Sequence, residues 1–128
     1  EIEAECKWIT KELGPDVPVH FTAFHPDHKM PEIPATPAAT LRRARDIALA
    51  EGLHYVYTGN VHDELGGTTY CPHCKSPLIV RDWYRIDDYR VTPDGHCPGC
   101  GTVVAGRYET FKRAFGPKRI PIAINSTA

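Results

Sequence analysis

The stretch CPHC at residues 71–74 decides the fold, because a CxxC pair is either a redox couple or half of a metal site. A redox pair needs a helix that begins at its first cysteine, since the helix N-terminus lowers the pKa of that thiol. Here Pro77 follows shortly, and residues 78–80 are Leu, Ile and Val, a run that favours a β-strand. The sequence after the pair therefore argues against a redox active site.

The same spacing returns at CPGC, residues 97–100, again after turn residues and before a β-branched run. The full pattern is C-x2-C-x22-C-x2-C, slightly longer between the pairs than the usual zinc-ribbon range, which a longer hairpin accommodates. Four thiolates complete a closed tetrahedral site that leaves no open position for a substrate. We therefore predict a structural metal site, with zinc favoured over iron and both left open. The predicted ligands are Cys71, Cys74, Cys97 and Cys100.

Two histidines stand beside these cysteines and are the alternative ligands. His73 and His96 are expected to be exposed turn residues while all four cysteines are available. The fifth cysteine, Cys6, lies in a helical pattern, where a small buried residue is the ordinary interpretation. Because no disulfide partner is evident for it, we predict a reducing compartment, the cytoplasm.

Composition limits the size and the partners of the protein. The 128 residues carry a formal net charge of −1 and allow one ordinary domain or two small ones. No apolar run approaches membrane-spanning length, so no membrane partner is expected. Residues 1–66 hold 11 acidic against 6 basic side chains, whereas residues 67–128 hold 5 against 9. This modest positive excess is far from that of a strongly basic domain.

Residues 1–62 alternate between helix and strand patterns. Apolar side chains recur at helical spacing in residues 1–13, including Leu13, and a Gly-Pro pair then supplies a stop signal. Residues 17–24 are apolar on both faces apart from two positions, which favours a strand buried in a parallel sheet. A second strand is predicted at residues 54–60.

A helix is predicted between these two strands. Thr36 is expected to be its N-cap, with Pro37 in the first turn, where a missing N–H has no cost. Gly52 should end the helix in a left-handed cap, with Leu53 packing back onto it. Three arginines are expected on the solvated face of this helix: Arg42, Arg43 and Arg45.

The order helix, strand, helix, strand gives one parallel crossover unit, which needs cover on both faces and further neighbours. A closed barrel of this type takes about 250 residues. The chain also opens within a helix pattern and without a methionine, so we expect it to be the C-terminal part of something larger. The predicted fold class is α/β: a fragment of a partial (β/α) barrel in residues 1–62, then a small antiparallel zinc-ribbon-like module with a C-terminal tail in residues 63–128.

Four runs of the chain together resemble a known family. They are HFTAFHPDHKM, PATPAATLRRARDIALAEGLHYVYTGNV, the two cysteine pairs and FGPKRIPIAI. In this order they are similar to the C-terminal half of the radical SAM enzymes of the AmmeMemoRadiSam system, relatives of the pyruvate formate-lyase activating enzyme. The resemblance implies a partial (β/α)6 barrel, an N-terminal remainder that completes the enzyme, and a possible protein substrate.

The resemblance also implies a cofactor contact. In the activating enzymes a histidine just past a late barrel strand reaches the carboxylate of S-adenosylmethionine, and Phe24-His25 with His28 and Lys29 resembles that context. His25 and Lys29 are thus candidate cofactor-binding residues; a loop histidine that caps backbone and a solvated lysine are the alternatives. The family's CxxxCxxC loop, which holds a four-iron cluster, is missing from this sequence. The chain alone is therefore not expected to catalyse the reaction, and the iron–sulfur cluster and S-adenosylmethionine belong to the complete enzyme.

A nucleic-acid-binding or protein-binding zinc ribbon is the rival interpretation. Basic and aromatic side chains interleave along residues 81–90, as a stacking and phosphate-contacting surface would. Asp82, Asp87, Asp88 and Asp94 interrupt that patch, so nucleic acid is not the expected partner. The same hairpin could equally dock against the barrel or a partner protein, with Trp83 and Tyr84 as the anchors. In the tail, three aromatics are expected to pack on the ribbon or barrel: Tyr108, Phe111 and Phe115.

Overall fold

The computed structural model describes residues 1–27 and 29–110 and shows a mixed α/β chain with two small sheets. The elements in chain order are α1 (Ile2–Glu12), β1 (Val19–Thr22), α2 (Ala38–Ala50), β2 (Val56–Gly59), α3 (Glu64–Gly67), β3 (Thr69–Tyr70), β4 (Pro77–Asp82) and β5 (Arg85–Tyr89). His28, Phe111, Phe115 and the strand-like run at 120–124 lie outside the described residues.

The parallel pair β1–β2 confirms the crossover that the sequence predicts. The strands run in register from Val19 opposite Val56 to Thr22 opposite Gly59. β1 is shorter than the predicted strand 17–24, since Pro18 has no N–H to donate to a neighbour.

Helices α1 and α2 cover one face of this pair. The buried residues of the cluster, which we call the parallel core, are Cys6, Ala48, Leu53 and Val56. Cys6 is 1% exposed, which confirms its interpretation as a small buried residue. Leu13, which follows the last residue of α1 as its C-cap, is exposed and does not belong to this cluster.

The ends of α2 agree with the prediction at one terminus and differ at the other. Pro37 is extended, with ψ of 141°, and is itself the N-cap. The predicted cap, Thr36, instead accepts a hydrogen bond at Oγ1 from the backbone N–H of Phe24, 2.9 Å away. At the C-terminus Gly52 has φ of +94°, and Leu53 is buried, so the left-handed cap is confirmed.

Arg45 contradicts the expected solvated face of α2. Its Nε donates to the carbonyl oxygen of Val56 at 3.1 Å, and its guanidinium lies 5.7 Å from the centroid of the Tyr70 ring. Arg42 and Arg43 are exposed, as expected. The long arginine stem can follow apolar surface while its head meets a carbonyl, which a polar position on a helical wheel does not reveal.

The second sheet is antiparallel in the order β3-β4-β5. The β-branched run after the second cysteine pair is not a full strand: it contributes an isolated bridge between His96 and Val103. A second buried cluster, the ribbon core, consists of Tyr55, Cys71, Leu78, Ile79, Val91, Cys97 and Val104. Tyr108 packs against it, as predicted, and Tyr55 brings the chain just before β2 into it.

Candidate metal centre

The four predicted cysteine ligands meet at one point. Their sulfur atoms all lie within 4.8 Å of one another. Across the two pairs, the sulfurs of Cys71 and Cys100 are 3.6 Å apart and those of Cys74 and Cys97 are 3.7 Å apart. A tetrahedron with metal–sulfur bonds of about 2.3 Å has sulfur–sulfur edges of about 3.8 Å. The donor set and its spacing therefore fit a four-thiolate metal site.

The two cysteine pairs fold in the same way. In the first, the N–H of Lys75 donates to the carbonyl of Cys71 at 3.1 Å; in the second, the N–H of Gly101 donates to that of Cys97 at 2.9 Å. Both turning residues are left-handed, with φ of +62° at Lys75 and +74° at Gly101. Two similar local turns thus bring two sulfurs each into one cluster.

A hydroxyl stands beside the second sulfur of each pair, and sequence reasoning missed both. The Ser76 oxygen lies 2.9 Å from the sulfur of Cys74, and the Thr102 oxygen lies 3.1 Å from that of Cys100. A metal-bound thiolate has no proton, so there the hydroxyl is the donor. The detectable signal was the shared pattern CPxCxS/T, with the hydroxyl residue two positions after the second cysteine.

The surroundings of Cys71, Cys97 and Cys100 give their thiols different pKa values. Hydrogen bonding from the backbone N–H of Cys100 lowers the pKa of Cys97 to about 6, and burial raises the pKa of Cys71 to about 11. Hydrogen bonds with Thr102 lower the pKa of Cys100. A metal ion binds all four as thiolates, so loading the site releases protons.

The neighbouring histidines do not join the cluster. His73 is exposed, as predicted. His96 is half-buried rather than exposed, and its Nδ1 lies 3.1 Å from a carboxylate oxygen of Asp94. The backbone N–H of His96 also donates to the Thr92 hydroxyl, which holds the turn before the second pair.

The candidate cofactor residues lie apart from this centre. His25 is exposed in the loop after β1, with Nδ1 3.5 Å from a carboxylate oxygen of Asp27. Lys29 is exposed in the same loop. Neither residue lines either of two clefts, of about 620 and 720 Å³, in the described part of the chain, and their role stays a prediction.

The turn of the β4–β5 hairpin presents aromatic side chains. Trp83 and Tyr84 form its turn and are 50% and 75% exposed. Trp83 has φ of +53°, which is unfavourable for a bulky side chain. Arg85 is paired with Asp82 and Asp87 at 3.3 and 2.6 Å. Of the basic residues in the interleaved pattern, Arg85 is thus neutralised by two carboxylates.

Comparison with known proteins yields one informative relative. Over 74 residues, 58% of this chain, the sequence is 50% identical to uncharacterized protein MJ0808 of Methanocaldococcus jannaschii. The chain spans about a fifth of that relative's length, 22%. No protein-family model matches the chain, and no solved structure does. No helix in residues 1–27 and 29–110 combines the length and apolarity that crossing a bilayer requires.

Proposed function

We propose that the four cysteines bind one structural zinc ion, and that the ribbon they close belongs to the C-terminal portion of a radical SAM, glycyl-radical-activase-like enzyme. The carrying observation is the convergence of four sulfurs within 4.8 Å from pairs 22 residues apart. Zinc accepts four thiolates in tetrahedral geometry and needs no open position for a structural role. Iron would accept the same ligands, so metal identity is the first experiment.

The zinc proposal is tested by metal analysis of the purified chain. We expect about one zinc per chain, retained through dialysis and released by a strong chelator with loss of the ribbon's tertiary structure. Thiol titration of the loaded protein should find Cys6 and the four ligands slow to react. Stoichiometric iron, or a metal-free chain whose ribbon stays folded with reactive thiols, would refute it.

The enzyme proposal rests on three supports of a different kind. One is the resemblance carried by the quoted runs; a second is a parallel pair with helices on one face, the arrangement of a barrel wall. The third is a relative about 4.5 times longer than the part it shares, which leaves room for more strands. On this proposal the partial barrel spans residues 1–62, and the cluster and S-adenosylmethionine are bound mainly by the N-terminal remainder.

The test uses the full-length polypeptide that contains this sequence, purified without oxygen. We expect about four iron atoms beside the zinc, and release of 5′-deoxyadenosine when reductant and S-adenosylmethionine are added. Cys97→Ser should lose the zinc and keep the iron, which separates the two centres. A full-length protein without an iron–sulfur cluster would end the enzyme proposal and leave the zinc site standing.

A protein-docking ribbon is the second candidate, and the exposed turn of Trp83 and Tyr84 favours it. Aromatic side chains carry much of the energy of protein interfaces. Nucleic acid is a weaker partner, since Arg85 is neutralised by two carboxylates and Arg81 is half-buried. Salt-sensitive binding of the zinc-loaded chain to mixed-sequence RNA or DNA would reverse that order.

A further inference from the structure

A cleft of about 620 Å³ separates the exposed face of the parallel pair from the β4–β5 hairpin. Side-chain alternation along β1 and β2 directs His20 and Tyr57 to this face, away from the parallel core. The hairpin contributes Arg81, Trp83 and Arg85 to the opposite wall. The cleft is therefore lined by imidazole, phenol, indole and guanidinium groups, a mixture suited to a small polar ligand.

Most of the carboxylates that line the cleft already have partners. Asp63, whose side chain is 3% exposed, lies 3.4 Å from Nε of Arg42 and accepts from the Thr58 hydroxyl at 3.0 Å. Asp82 and Asp87 both pair with Arg85. Glu64 is the remaining acid, and no ion pair involves it in residues 1–27 and 29–110.

Arg81 also lines the cleft and takes no part in these ion pairs. It is half-buried, and within the described part of the chain no carboxylate lies within ion-pair distance of it. Its Nη1 donates to the carbonyl of Gly67 at 3.2 Å and to Oγ1 of Thr69 at 2.7 Å. Nη1 is thereby satisfied, and Nε and Nη2, which share one edge of the guanidinium, have no acceptor among the described residues.

The surroundings hold that guanidinium in place before any ligand arrives. Oγ1 of Thr69 is itself 2.8 Å from the hydroxyl of Tyr57, and the Arg81 guanidinium lies 5.7 Å from the centroid of the Tyr57 ring. His20 stacks on the same ring, with centroids 4.9 Å apart. A fixed cation with a free two-donor edge loses little entropy on binding, which is the arrangement that recognises a carboxylate or phosphate.

We propose that this cleft binds a small ligand through a terminal oxyanion, a carboxylate or a phosphate, held by the Nε–Nη2 edge of Arg81 beside His20 and Tyr57. The site is independent of the proposed enzyme, because it uses only residues of this chain. Glu64 opposes it, since a nearby unpaired carboxylate repels an incoming anion.

The test is a titration of the zinc-loaded, 15N-labelled chain, with the arginine Nε–H resonances followed by NMR. Succinate and inorganic phosphate serve as separate probes, and the one that binds more tightly identifies the headgroup. We expect the Arg81 resonance to shift saturably at millimolar probe. Arg81→Lys keeps the charge, and the lysine can still reach Thr69, but the two-donor edge is lost. The affinity for either probe should therefore fall about fivefold or more.

Arg90→Lys is the matched control, since Arg90 is exposed near the same hairpin and does not line the cleft, and the affinity of this variant should stay within about twofold. Glu64→Gln should tighten binding of either probe. An Arg81 resonance that does not shift with 50 mM of either probe would overturn the proposal. So would an unchanged affinity in Arg81→Lys, because a variant that keeps the charge then loses nothing, which indicates general charge attraction.

Discussion

The parallel unit and the ribbon reach order by different means. The parallel core buries a cysteine, an alanine, a leucine and a valine between two helices and two strands, and its stability comes from packing. The ribbon core includes two of the metal ligands, Cys71 and Cys97, so its interior is built around the ion it would bind. The parallel unit therefore depends on the packing of apolar side chains, and the ribbon, as proposed, depends on the coordination of one ion.

Tyr55 is one of the residues that join the two regions. Tyr55 precedes β2, yet its ring belongs to the ribbon core, and its hydroxyl accepts a hydrogen bond from the N–H of Ala105 at 3.1 Å. Burial of this ring raises the pKa of its hydroxyl. The two regions therefore share a boundary, and variants in one region test whether the other folds independently.

The largest expected effect follows from replacing a ligand. Cys97→Ser should abolish tight zinc binding and unfold the ribbon, because structural zinc contributes on the order of 10 kcal/mol. The helical signal of α1 and α2 should persist, since neither helix contributes a ligand. Zinc content, far-UV circular dichroism and amide NMR measure this.

Cys6→Ala is the control for that change, as Cys6 lies in the parallel core outside the cluster. It should keep full zinc occupancy. Collapse of the helical signal in Cys97→Ser would show instead that both regions unfold as one cooperative unit.

The converse experiment is Leu53→Ala. Leu53 is 2% exposed in the parallel core, so its truncation leaves a cavity and should cost about 2–5 kcal/mol of the free energy of unfolding. Zinc affinity, measured by competition with a chelator, should not change. Leu49→Ala, at an exposed position of α2, should alter stability by less than about 0.5 kcal/mol. A loss of zinc affinity in Leu53→Ala would contradict the separation.

A smaller effect is expected at the hydroxyls beside the sulfurs. Thr102→Val and Ser76→Ala should each lower zinc affinity by about 10-fold or more, since residues that hydrogen-bond to ligands orient them and tune their basicity. Thr40→Val, an exposed position in α2, is the control and should leave affinity unchanged. Unaltered zinc affinity in both Thr102→Val and Ser76→Ala would mean that the two hydroxyls only stabilise the turns.

The smallest effect compares the two left-handed turns. A side chain at Gly101 would meet open space, so Gly101→Ala should destabilise only through its backbone, by about 1 kcal/mol. Lys75→Gly should change stability by less than about 0.5 kcal/mol, because relief of strain is offset by greater freedom in the unfolded chain. Thermal unfolding of the zinc-loaded proteins would distinguish these shifts.

Local patterns predicted the elements and the ligands well. Cysteine spacing identified all four members of the cluster, and helical periodicity with the Gly52 cap identified α2. The misses include the N-cap at Thr36, the solvated face assigned to Arg45 and the exposure assigned to His96. Two of these misses involve a partner more than ten positions away: Phe24 for Thr36, and Val56 for Arg45.

The sequence by itself determined the metal ligands, the turns that present them and the order of helices and strands, because these depend on residues only a few positions apart. Only the tertiary structure decided that Tyr55 joins the ribbon core and that Arg81, which lines a cleft, has no carboxylate partner among the described residues. Those features arise where side chains from separate segments compete for the same partners. Which carboxylate pairs with which arginine depends on distances that only the folded chain fixes.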